Sequence, residues 1–155
     1  MEDDRAAPAQ KNLFVFIGTA WVIVGGLVAA MTGPLSLEHG SWAAAYQVLV
    51  AGVGQVALGV AQSVVAPARP SRRVLTAQLL TWNLGSVAVL GGTLTHTPLV
   101  VDAGGVLLLV ALALMIRTIR GGTGPTWARW TYRIIVAIIV VSIPIGLILA
   151  HLRAS

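Results

Sequence analysis

Five apolar stretches, each close to the length of one bilayer crossing, constrain this chain more than any other feature. By hydropathy and punctuation they run over 13–31, 42–65, 74–95, 99–116 and 134–149. A membrane-spanning helix takes about 20 predominantly apolar residues. A helix of a water-soluble domain turns a polar face outward, whereas these stretches are apolar on every side. Composition agrees, with 57% hydrophobic and 10% charged residues, where a soluble domain carries about 25% charged residues. The expected fold is an all-α integral membrane protein. A single bundle of five transmembrane helices fills 13–152, between a tail at 1–12 and a tip at 153–155.

Turn residues set the boundaries. Gly33-Pro34 closes the first stretch, and Pro67 and Pro70 close the second. Thr97-Pro98 reads as a helix start, with threonine as N-cap and proline at the first helical position. Pro144 lies inside the last stretch, where it frees a carbonyl that a neighbouring helix can satisfy. The opening MEDDRAAPAQK lacks the basic start of a signal peptide, and the apolar run after it has full membrane length. We read that run as an uncleaved first helix. The two helical hairpins and the fifth helix left over do not make an inverted duplication of the transporter kind.

Charge orients the bundle. Arg5 and Lys11 precede the first helix; Arg69, Arg72 and Arg73 follow the second; Arg117, Arg120, Arg129 and Arg133 follow the fourth. The opposite side holds only Arg153. Positive residues mark the cytoplasmic side, which puts the N-terminus inside and the C-terminus outside the plasma membrane. Trp127, Trp130 and Tyr132 are expected as interfacial anchors inside, and Trp42 outside. Basic residues confined to short loops serve orientation, so the net charge of +5 does not point to nucleic acid. The arginine-for-lysine bias suggests a GC-rich bacterial genome, hence a bacterial inner membrane. The chain has no cysteine, which excludes disulfides, thiolate catalysis and cysteine-ligated metals.

The polar residues that remain are few. His39, His96 and His151 all fall on the outer side, with Glu38 and Asp102. Histidine and carboxylate ligate zinc, copper or haem iron. His39, His96, His151 and Asp102 are therefore the candidate metal ligands. His39 and His96, with Trp82 nearby and Gly92 leaving room for a porphyrin, are the candidates for a haem b. The plainer alternative makes the histidines interfacial, with Asp102 stabilising the start of the fourth helix through its dipole; a pH-sensing role is a third.

Gln47, Ala51, Gln55, Gly59 and Gln62 share one face of the second helix at helical spacing; Gln78, Trp82, Gly85, Val89, Gly92 and His96 share one face of the third. Amides and small residues in a lipid-embedded helix turn toward other helices. Helices two and three are expected to pack through Gln47, Gln55, Gly59, Gln62, Gln78 and Gly85, as structural glue or as a polar-lined cleft for a quinone or cofactor head. Asn83 lies off that stripe and is expected to face another neighbour. No G-x-x-x-x-G-K-[ST], H-E-x-x-H or G-x-S-x-G occurs, and no charged residue falls at mid-membrane. These absences argue against an enzyme.

The run from Tyr46 through Gly52-Val53-Gly54-Gln55-Val56-Ala57-Leu58-Gly59-Val60-Ala61 to Pro67 resembles a helix of small membrane proteins related to the haem–copper oxidase main subunit. Thr81-Trp82-Asn83-Leu84-Gly85 resembles the next helix of that group. The resemblance covers about half the chain and implies a respiratory or redox membrane setting. Tyr46 stands where the group tends to carry histidine, with His39 two turns earlier, so no haem ligand is carried over.

The leading expectation is a non-catalytic accessory or small subunit of a membrane assembly, meeting lipid and either other subunits or copies of itself. A haem b- or metal-binding protein is the alternative, and a small oligomeric transporter or channel the third.

Overall fold

The computed structural model describes the backbone of residues 3–122 and 124–154, and the side chains of 12–122, 124–144 and 148. Five helices follow in order: α1 (Asp3–Thr32), α2 (Gly40–Val65), α3 (Arg72–Leu94), α4 (Pro98–Ile119) and α5 (Thr126–Ala154). The described residues contain no strand. All five helices are long and apolar enough to cross a membrane.

Two helices start earlier than hydropathy suggests. The expected tail at 1–12 is helical from Asp3, with acidic residues at a helix start where the dipole favours them. The helix expected at 134 starts at Thr126. Its polar first turns hide a continuous inward stripe, because Ala128, Tyr132, Val136 and Ile139 are all buried at spacings of four and three. Tyr132, at 1% exposure, is therefore a core residue and not an interfacial anchor. Trp127 and Trp130 remain exposed, and the Arg133 guanidinium lies 5.9 Å from the Trp130 ring centroid.

Glycine sets the tightest contact, that between α3 and α4. A Cβ on Gly85 would stand 2.9 Å from the Gly104 carbonyl oxygen, and one on Gly104 would stand 2.8 Å from the Gly85 carbonyl oxygen. Each backbone fills the other's missing side chain, the close approach that small residues permit between apolar helices. Gly18, Gly25, Gly52 and Gly59 do the same between α1 and α2, where Gly59 lies under Phe14. Trp21 of α1 donates from Nε1 to Asn83 Oδ1 of α3 at 2.6 Å. Around these seams a core closes on Trp82, Leu58, Leu108, Leu112, Met115 and Tyr132.

The middle of α2, Gln47–Gly54, is a π-helix. Its i→i+5 bonding takes more residues per turn, so it spreads positions that simple helical spacing would align. Gly52 and Gly59 face α1, while Ala51, Gln55, Leu58 and Gln62 are buried on the other side. Gln62 Nε2 donates to Gln78 Oε1 at 3.2 Å, and Gln78 Nε2 donates to Thr118 Oγ1 at 3.1 Å. This chain of bonds ties α2, α3 and α4 together near one end of the bundle. At that same end Gly122 and Gly124 pack on α2, against Val64 and Val65. The two arginine-bearing loops therefore share one end, and the 33–39 and 95–97 links share the other.

Candidate ligand-binding cavity

The link between α3 and α4 is built to a tight specification. Thr97 N donates to Gly92 O at 2.8 Å and His96 N to Thr93 O at 3.3 Å, the bond pair of a Schellman helix end. That motif needs a left-handed residue at its C′ position, usually glycine. Here the position is held by His96, at φ +52°. Thr97 precedes Pro98 as expected, yet its hydroxyl bonds the Thr95 carbonyl oxygen at 3.2 Å and makes no cap bond into α4.

The turn projects His96 toward His39, the residue before α2. Their ring centroids stand 5.6 Å apart, edge to face. Beside them Trp42 stacks on Tyr46, again with 5.6 Å between centroids. These side chains and Glu38 form the rim of a cavity of about 800 Å³. Its walls come from α2, α3, α4 and α5, and include Leu49, Val53, Val89, Leu108, Ile139 and Ile143. Pockets for small ligands span about 300–1,000 Å³ and are mainly apolar with few polar groups. This one matches in size and lining, and its polar groups gather at one end.

The residues singled out in the sequence separate into three places. His39, His96 and Gly92 line the cavity. Gln62 and Gln78 bond each other at the opposite end, and Gln55 is fully buried between, its amide without a protein partner among the described residues. Gln47 stands beside Gly25 of α1, Gly59 faces α1 and Gly85 faces α4. Asn83, off the stripe, reaches α1 through Trp21. Trp82 is sealed in the core, its indole donating to the Ala51 carbonyl oxygen at 3.4 Å.

The metal ligands are not brought together as a set among the described residues. Among the described residues, no three of histidine, aspartate and glutamate stand close enough to hold a metal, and a structural or catalytic zinc site takes three or four protein ligands. Asp102 is the fifth residue of α4, beyond its first turn; the His151 side chain lies outside the described residues. For haem, Trp82 is buried elsewhere, and Val100 and Val101 fill the space over Gly92. Trp82 and Gly92 therefore do not frame a porphyrin beside His39 and His96.

Glu38, which in the sequence is only an outer-side acidic residue, and Trp42, there an interfacial anchor, both join the rim. The Glu38-His39 adjacency, three residues ahead of a tryptophan, was the available signal. Comparison with protein-family models, with curated proteins and with solved structures gives no match.

His96 tests whether the turn is maintained for its side chain. A left-handed conformation costs a non-glycine residue about 1–2 kcal/mol. His96→Gly is therefore expected to raise stability by about 1 kcal/mol, read from the denaturant midpoint of helical circular dichroism in mixed micelles. A lowered midpoint would mean that the imidazole contact with His39 outweighs the backbone cost.

Proposed function

We propose that this chain is a multi-pass protein of the plasma membrane, N-terminus cytoplasmic and C-terminus outside, that binds an amphipathic ligand without transforming it. The cavity carries this reading: an apolar chamber of about 800 Å³ with a polar rim, at the end of the bundle opposite the arginine-bearing loops. Positive loops face the cytoplasm, so the rim faces outward. Phe16 and Leu99, at 75% and 77% exposure, belong to an apolar outer surface that suits lipid and would aggregate in water.

Such a binding protein suits an accessory role in a larger assembly. Gly26 on α1 has nothing against it, and Ala29 and Ala30 beside it are exposed, a strip that a second helix can approach closely. The respiratory or redox setting rests on the sequence resemblance over 46–67 and 81–85 alone. A bacterial inner membrane rests on the arginine bias.

Purification in mild detergent, followed by mass spectrometry of an organic extract and a visible spectrum before and after dithionite, tests the reading. An amphipathic molecule near one per chain and a featureless visible spectrum are expected. A Soret band that shifts on reduction would replace the reading with haem binding. An empty protein that takes up no amphipathic molecule on reconstitution would remove the ligand-binding role.

A further inference from the structure

The chemistry of the rim narrows the ligand. Among the described residues no hydrogen bond or ion pair engages Glu38, the imidazoles of His39 and His96, or the Trp42 indole N–H. As a carboxylate, Glu38 accepts and cannot donate; an indole donates only; a neutral imidazole does both, one nitrogen each way. The rim thus offers an acceptor with negative charge beside three donors, with the stacked Trp42 and Tyr46 rings between. Aromatic faces attract ammonium groups. Below the rim the walls are mainly apolar, through Leu49, Val53, Ile139 and Ile143, and the Ser142 hydroxyl among them is bonded to the Ile138 carbonyl oxygen.

The complement of this surface is a molecule with an ammonium and an anionic oxygen group close together on one head, joined to a long apolar body. Resting on the ligand-binding reading above, we propose that the cavity selects a zwitterionic phospholipid with a primary-amine head, of the phosphatidylethanolamine type. The ammonium meets the Glu38 carboxylate and the Trp42 face. The phosphate accepts from His39 and His96. One acyl chain runs down between α2 and α5. An anionic lipid without the amine would bring its charge against Glu38 with nothing to offset it. The strained turn at His96 accords with this, because glycine there would close the same turn and leave the phosphate one donor short.

The test uses the full chain in nanodiscs made of equal parts phosphatidylethanolamine and phosphatidylglycerol, released into native mass spectrometry. The expected result is a retained lipid adduct of phosphatidylethanolamine mass, enriched about tenfold over phosphatidylglycerol, the discrimination that one charge-assisted hydrogen bond supplies. Glu38→Gln, at an exposed position outside the helices, should return the ratio to that of the disc while leaving the unfolding midpoint unchanged. His96→Gly should lower total retention with the fold intact. Adducts in the disc's own ratio, adducts enriched in phosphatidylglycerol, or an unchanged preference in Glu38→Gln would each overturn the head-group assignment. A chain that retains no lipid and is also free of other bound molecules would instead defeat the ligand-binding reading itself.

Discussion

Gly104→Leu is expected to break the α3–α4 hairpin, lowering stability by about 3 kcal/mol or more and leaving little folded protein in detergent. Overpacking a core costs about 1–3 kcal/mol when side chains can move aside. Here they cannot. A Cβ at this position would stand 2.8 Å from the Gly85 carbonyl oxygen, the Val89 nitrogen and Val89 Cγ2, and the first two are backbone atoms that no rotamer change can move aside. The helices would have to separate along the whole seam, which also holds Gly92 against Val101. Gly26→Leu is the matched control, since nothing lies within 4 Å of its Cβ, and it should leave the unfolding midpoint of helical circular dichroism in place. Equal behaviour of the two variants would show that the seam is looser than described.

Gln55→Leu is expected to move stability the other way, by about 1–3 kcal/mol, the mutational cost of a buried polar group without a bond. Gln55 is fully buried, and neither amide atom finds a protein partner among the described residues. Leucine has similar bulk and no polar atoms to desolvate. Gln78→Leu should do the reverse, because Gln78 accepts from Gln62 and donates to Thr118. Removing it leaves the Gln62 amide N–H without its partner in an apolar interior, where a lost partner costs more than the bond contributed, while Thr118 keeps its bond to the Leu114 carbonyl oxygen. The pair of variants therefore separates a glutamine that ties helices together from one that only sits among them. Destabilisation by Gln55→Leu would mean that its amide has a partner of its own.

Much of this architecture was legible in the sequence. Hydropathy marked five helices, and Gly33-Pro34, Pro67 and Thr97-Pro98 located the links between them. Helix ends were less legible. The start of α5 carries Arg129 and Arg133, which depress hydropathy, and only the burial of Ala128 and Tyr132 reveals the stripe beneath. The face of α2 was read at uniform spacing, and the π segment at Gln47–Gly54 changes the phase partway along. Nothing in single-residue preference announces such a segment.

The candidate site was half legible. Charge bias put His39 and His96 at one end of the bundle, and their contact follows from a turn whose left-handed residue is histidine where glycine is usual. A sequence shows that a turn is short but not which residue takes the left-handed position. Glu38 and Trp42 gained a role only once the rim was assembled around them.

The central claim is a bundle that crosses the membrane with its arginine-bearing loops inside and its cavity open to the outside. Because the chain has no cysteine, Ser36→Cys and Ala68→Cys each introduce one thiol, on the two opposite ends. Labelling in intact cells with a membrane-impermeant maleimide tests the arrangement directly. Ser36→Cys should label fully, and Ala68→Cys only after the membrane is permeabilised. Labelling of Ala68→Cys in intact cells, with Ser36→Cys protected, would invert the orientation and place the cavity on the cytoplasmic side. Labelling of both would contradict a membrane-spanning bundle.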